Sequence, residues 1–95
     1  MSDSPQIQAI KQRYRESLKE KADMVAKFRS SIEVESQFDL MKEELHKLAG
    51  SSGMYGYQDL ADTCRAAMGS IDSDAIGILA DQLDLIVGLL NQYSE

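Results

Sequence analysis

Residues 38–56 read FDLMKEELHKLAGSSGMYG, and their spacing predicts the helix from which the fold can be inferred. Apolar side chains and one serine recur at steps of three or four residues, which is one face of an α-helix. These positions are Phe38, Met41, Leu45, Leu48 and Ser52. Gly56 follows the stripe and is typical of a residue just beyond a helix end. We therefore predict a helix over residues 36–55.

Three other segments have the same periodicity. We predict helices over residues 5–31, 57–68 and 73–93. The first begins with a serine and a proline at Ser4-Pro5, and a bend or break within 18–22 stays open. Gly69-Ser70 is taken as the end of the third helix, and Asp72 or Ser73 as the cap of the fourth. Short connections between amphipathic helices predict an all-α, up-and-down antiparallel four-helix bundle, one domain over residues 1–95.

The composition excludes several classes of protein. The 95 residues include 16 acidic and 10 basic ones, one Cys and one His, too few for a disulfide framework or a structural zinc site. The sequence contains no run of about 18 apolar residues, so we predict no membrane span. The polar start Met1-Ser2-Asp3-Ser4-Pro5 does not resemble a signal peptide. We therefore expect a cytoplasmic, free-standing monomer with no membrane association.

The charge is unevenly distributed along the chain. Residues 11–29 carry seven basic and three acidic side chains, a net charge of +4, whereas the rest of the chain carries −10. The acidic total disfavours nucleic acid as a partner. A first helix that binds nucleic acid is a further alternative, and a solvated basic face is the simpler interpretation.

The helix over 36–55 carries an unusual strip beside its apolar stripe. His46 falls off the stripe, and the residues three, four and seven positions later are Ala49, Gly50 and Gly53. A glycine inside a helix costs about 1 kcal/mol relative to alanine, so both glycines call for a reason. We predict an exposed imidazole on a strip of small residues that another protein can approach, with Lys42 one turn earlier. The alternatives are an ordinary surface histidine and a strip for close helix packing.

The chemistry open to a lone histidine is limited. A general base needs a concave pocket and an orienting partner, and a helical metal site needs a second ligand where Gly50 stands. Accepting a phosphoryl group needs in-line access and positive charge nearby. A neutral imidazole is a competent nucleophile near pH 7.

The segment from Leu45 to Cys64 resembles the signature of histidine-containing phosphotransfer (HPt) domains of bacterial phosphorelays. The matching positions are His46, Leu48, Gly50, Ser51, Ser52, Tyr55, Gly56, Leu60 and Cys64. The resemblance implies that His46 accepts phosphate on its Nε2 atom and that Gly50 gives access to a receiver domain. It also implies that the receiver supplies the aspartate and the Mg²⁺, so that this chain needs no metal or cofactor of its own.

The resemblance also defines the expected activity and partners. The chain would relay phosphate from a receiver domain, such as that of a hybrid sensor histidine kinase, to the receiver domain of a response regulator. It would be a phosphocarrier and not an enzyme, and we expect no kinase activity of its own because no ATP-binding motif is present. Candidates for neutralising phosphate or for docking are Lys42, Lys47, Ala49, Gly50, Ser51 and Gly53.

Two departures from the family pattern support an alternative function. The family often has Lys at the position of Ala49, and Gln or Glu at the position of Met68. Lys42, or less directly Lys47, would then have to neutralise the phosphate. The alternative is a helical binding or scaffold module that docks receivers without phosphotransfer.

Two further features are interpreted from their positions. Cys64 follows Leu60 by one turn on the apolar side of its helix and is expected in the core. Met54, Tyr55 and Tyr57 either pack at the end of the bundle or form an apolar rim for a partner.

Overall fold

The computed structural model describes residues 4–95, which form four α-helices and no strand. Predictions drawn from residues 1–3, namely the N-terminal limit of the domain and the expected absence of a signal peptide, lie outside the described residues. The helices are α1 (Pro5–Ser30), α2 (Phe38–Met54), α3 (Gln58–Asp72) and α4 (Ile76–Tyr93). The predicted four-helix bundle is confirmed.

Helix α1 begins where the sequence indicates. The Ser4 hydroxyl accepts a hydrogen bond from the Ile7 amide at 3.2 Å, and Pro5 occupies the first helical position, where no amide hydrogen is needed. The helix continues unbroken through residues 18–22 and ends at Ser30.

Helix α2 begins two residues later than predicted. A short 3₁₀ turn occupies Glu35–Gln37, and the α-helix starts at Phe38. Its end follows the prediction, because Gly56 adopts a φ of +89°. The Gly56 amide donates to the Gly53 carbonyl and the Tyr57 amide to the Ser52 carbonyl, which is a Schellman motif.

Helix α3 corrects the predicted boundaries of two helices. It continues through Gly69 and Ser70 to Asp72, and α4 begins at Ile76 instead of residue 73. The residue that ends α3 is Asp74, with a φ of +58°, followed by a bond from the Ala75 amide to the Ser70 carbonyl. The prediction was wrong because it assigned the stop to a glycine, whereas an aspartate adopts the left-handed conformation here.

The helices enclose one elongated core. Helix α4 packs along both α1 and α3, and α2 packs along α3, whereas the backbones of α1 and α2 scarcely approach each other. Side chains from all four helices fill the centre, among them Leu18, Leu45, Cys64 and Leu83. No helix within residues 4–95 is both long and apolar enough to cross a membrane. The fold therefore leaves an open side between α1 and α2.

Candidate functional site

His46 lies on the exposed side of α2. Its neighbours Leu45 and Leu48 are fully or almost fully buried, and they hold this helix against the core. The imidazole is therefore carried by a rigid, well-packed element but stands in solvent. A nucleophile in this setting can be reached by a second protein.

Gly50 provides the open space beside His46. It lies one helical turn after the histidine, is exposed, and has no heavy atom within 4 Å of the position that a Cβ would occupy. Any larger side chain here would project into solvent on the approach to the imidazole. Packing within this chain therefore does not require the glycine.

The other two small residues of the predicted strip have different roles. Ala49 is 3% exposed and belongs to the core, so the expectation that it lies on the open face is wrong. Gly53 is half-buried, and a Cβ there would lie 3.8 Å from the Cβ of Ala61 on α3. Both corrections have one cause, since α3 packs against this flank of α2. The open surface is narrower than predicted and centres on His46 and Gly50.

Both lysines near His46 have acidic partners. Lys42 Nζ lies 2.6 Å from Asp72 Oδ1 at the end of α3. Lys47 Nζ lies 3.5 Å from carboxylate oxygens of both Glu43 and Glu44. The carboxylates of Glu44 and then Glu43 raise the pKa of the Lys47 ammonium. These pairs are on the surface, where water screens the attraction between the charges, so either lysine can exchange partners at little cost.

Ser51 faces α1, away from the flank that meets α3. Its Oγ lies 2.9 Å from the hydroxyl of Tyr14, and it also donates to the Leu48 carbonyl. Ser51 therefore links α2 to α1.

Met68 is half-buried and packs against the core, as an apolar side chain would.

Two residues near the site were not predicted from the sequence. Arg65 of α3 places its Nη2 atom 3.9 Å from the Cβ position of Gly53, and its guanidinium also contacts Asp62. Asp72 is the partner of Lys42. The tight turn at Gly56 could have indicated that both residues lie near α2, because it sets α2 and α3 side by side and antiparallel.

Cys64 and the tyrosines near Gly56 belong to the packing of the bundle. Cys64 is fully buried, and desolvation raises the pKa of its thiol to about 12. Tyr55 and Tyr57 stack with Tyr14, with ring centroids 4.1 and 6.1 Å apart. This favours bundle-end packing for both tyrosines, whereas Met54 is 80% exposed.

Within residues 4–95 no group of three or more His, Cys, Asp or Glu side chains could hold a metal ion. His46, the only histidine of the sequence, therefore belongs to no such group among these residues.

Comparisons with known proteins agree with this arrangement. The sequence model of the Hpt domain matches residues 9–94. No curated protein and no solved structure gave a match. Hpt domains are phosphocarriers that interact with receiver domains in two-component systems. With the match covering nearly the whole chain, and with an exposed histidine on the second helix of a four-helix bundle, this protein belongs to the Hpt domain family.

Proposed function

We propose that His46 is a phosphorelay intermediate that receives its phosphoryl group from the aspartate of one receiver domain and delivers it to another. The observation that carries the proposal is the exposed imidazole beside the empty space at Gly50. A receiver can bring an aspartyl phosphate in line with an imidazole only where the helix surface is free of bulk.

The transfer conserves the phosphoryl group. The Nε2 lone pair of neutral His46 attacks phosphorus, the P–N bond forms as the P–O bond to the aspartate breaks, and the carboxylate is regenerated. Before the attack the ring hydrogen is on Nδ1, so Nε2 has a free lone pair and no proton has to leave it when the P–N bond forms. Delivery to the second receiver runs through the same bonds in reverse. The receiver would supply the Mg²⁺, which offsets phosphate charge during both steps.

Lys42 is the cation best placed to meet the phosphate from this chain. It lies one turn before His46 on the flank that faces α3, whereas Lys47 is the next residue after His46 and its side chain points about 100° away around the helix. The Lys42 ion pair is exposed, so a phosphoryl group on His46 can compete with Asp72 for the ammonium at small cost.

The alternative function is docking of receivers without transfer. Three observations favour it: Ala49 and Met68 stand where the family often has Lys and Gln or Glu, and both nearby lysines are already engaged by carboxylates. The same experiment separates the two functions, because a docking module would bind a phosphorylated receiver and leave His46 unmodified.

The test is transfer from phosphorylated receiver domains to the purified chain. We expect wild-type protein to gain acid-labile, base-stable phosphate, and His46→Gln to gain none while keeping the helical signal and thermal midpoint of the wild type. Asp81→Asn, an exposed change on α4, is the matched control and should transfer as the wild type does. Since the sequence has one histidine, acid-labile phosphate on His46→Gln would overturn the assignment. Binding without phosphate on the wild type would establish the docking alternative.

A further inference from the structure

A second candidate surface lies on the side of the bundle that α1 and α2 leave open. A groove of about 370 Å³ runs between these helices, with Met24, Phe28 and Leu40 among its lining residues. Leu40 is 48% exposed although it is a large apolar side chain, and Met24 is half-buried. The groove exists because the backbones of α1 and α2 do not pack closely along their length.

A second depression of about 280 Å³ adjoins the first at the end of the bundle. Its apolar lining consists of Ile32, Phe38 and Ile76. Ile32 directly follows Ser31, and Phe38 directly follows Gln37, both of which line the first groove, so the two depressions are neighbours along the chain. We consider the two depressions together and call them the acidic groove because of the charged residues that line them.

The charged residues that line the acidic groove are mostly acidic. The lining carboxylates are Glu20, Asp23, Glu33, Glu35, Glu44 and Asp74. Lys27 is the one cationic residue among the lining residues. Apolar surface with a rim of carboxylates is complementary to an amphipathic segment that carries Lys or Arg beside its apolar side chains.

The acidic groove is separate from the surface around His46. On α2, Lys42 and Gly53 face α3. His46 lies one turn after Lys42 and two turns before Gly53, so it is on the same flank of the helix. Leu40 and Glu44 lie on the other flank, toward α1. A ligand in the groove would therefore leave the imidazole accessible.

We propose that the acidic groove binds a Lys- or Arg-rich amphipathic helix of a partner protein, at the same time as a receiver occupies the His46 surface. The basic helix of a second copy does not qualify, because the apolar side of α1 is buried in its own bundle through Leu18, Val25 and Phe28. The partner must supply both an apolar face and positive charge, and neither suffices alone.

The probe for this proposal is a labelled 15-residue synthetic helix with leucines on one face and lysines elsewhere, titrated with the full chain. We expect saturable one-to-one binding. A peptide with the same leucine face and glutamates in place of lysines should bind at least a hundredfold more weakly. A scrambled peptide of the same composition should bind at least tenfold more weakly. Equal binding of the scrambled peptide would mean bulk charge attraction and would overturn the proposal, as would no binding.

Variants locate the binding on the molecule. Leu40→Asn and the double change Glu33→Gln with Glu35→Gln alter exposed side chains and should each weaken binding about tenfold, which is about 1.4 kcal/mol. The matched controls are Ile78→Asn, an exposed apolar residue on α4, and Asp81→Asn with Glu95→Gln. Controls that weaken binding as much as the groove variants would overturn the proposal. His46→Gln should bind the peptide like the wild type, so this result stands whether or not His46 accepts phosphate.

Discussion

Single residues decide how accessible the proposed phosphoacceptor is. His46 stands in solvent because Leu45 and Leu48 hold the other side of α2 in the core. Gly50 keeps the next turn clear, with no heavy atom within 4 Å of its Cβ position. A glycine with open space around it inside a helix costs stability without any gain in packing, and Gly88 shares this property, so what distinguishes Gly50 is its position one turn after His46.

Changing Gly50 should therefore separate stability from transfer. Gly50→Ala should raise the free energy of unfolding by about 1 kcal/mol, measured by denaturant titration, because alanine is the better helix former and meets no neighbour. Gly50→Gln should also raise the free energy of unfolding, because glutamine is a better helix former than glycine. It should nevertheless slow phosphoryl transfer to His46, since its side chain fills the space that a receiver needs.

Gly88 supplies the control for this comparison. It also lies within a helix, is exposed, and has open space at its Cβ position, but it is on α4. Gly88→Gln should stabilise the fold as Gly50→Gln does and leave transfer at the wild-type rate. Unchanged transfer by Gly50→Gln would remove the functional reason for that glycine.

At the scale of elements, the C-terminal ends of α2 and α3 have the same capping motif with different residues in the left-handed position. At the end of α2 the left-handed position is Gly56, with a φ of +89°; at the end of α3 it is Asp74, with a φ of +58°. Both ends have the paired amide-to-carbonyl bonds of a Schellman motif. The turn at Gly56 orients α3 against the α2 flank that carries His46, so this end matters for the site as well as for the fold.

Substitutions at these two positions should have opposite signs. Asp74→Gly should raise the free energy of unfolding by about 0.5–1 kcal/mol, because glycine adopts the left-handed conformation without the steric cost of a Cβ. Gly56→Ala should lower it by about 1–2 kcal/mol for the same reason. Urea titration of both variants measures the changes. A loss of stability in Asp74→Gly would show that the aspartate side chain contributes more than its backbone strain costs.

At the scale of the whole molecule, all four tyrosines of the sequence gather at one end of the bundle. The ring of Tyr14 from α1 stacks on Tyr55, and Tyr57 packs on Tyr93 of α4 with centroids 4.4 Å apart. The Tyr93 hydroxyl donates to Asp59 at 2.6 Å. Burial raises the pKa of the Tyr14 phenol, and its hydrogen bond with Ser51 offsets part of this shift. This cluster joins α1, α4 and the α2–α3 turn.

Tyr14 should contribute to global stability chiefly through its ring. Tyr14→Phe should lower the free energy of unfolding by about 0.5–1.5 kcal/mol, the contribution of one hydrogen bond. Tyr14→Ala should lower it by about 3–5 kcal/mol, because the stacked ring is lost and a cavity forms. Chemical denaturation gives both values. Near-equal effects of the two changes would assign the stabilisation to the hydroxyl and contradict the role of the stack.

Much of this protein could be read from its sequence, because helical periodicity and end signals depend on residues close together in the chain. Ser4-Pro5, the apolar stripe of α2, the stop at Gly56 and the exposure of His46 are all local properties. Tertiary packing alone decided the rest. The approach of α3 buried Ala49, placed Ala61 against Gly53 and brought Asp72 to Lys42. The distance between α1 and α2 opened the acidic groove. These features depend on which helix faces which, and residues far apart in the chain fix that choice together.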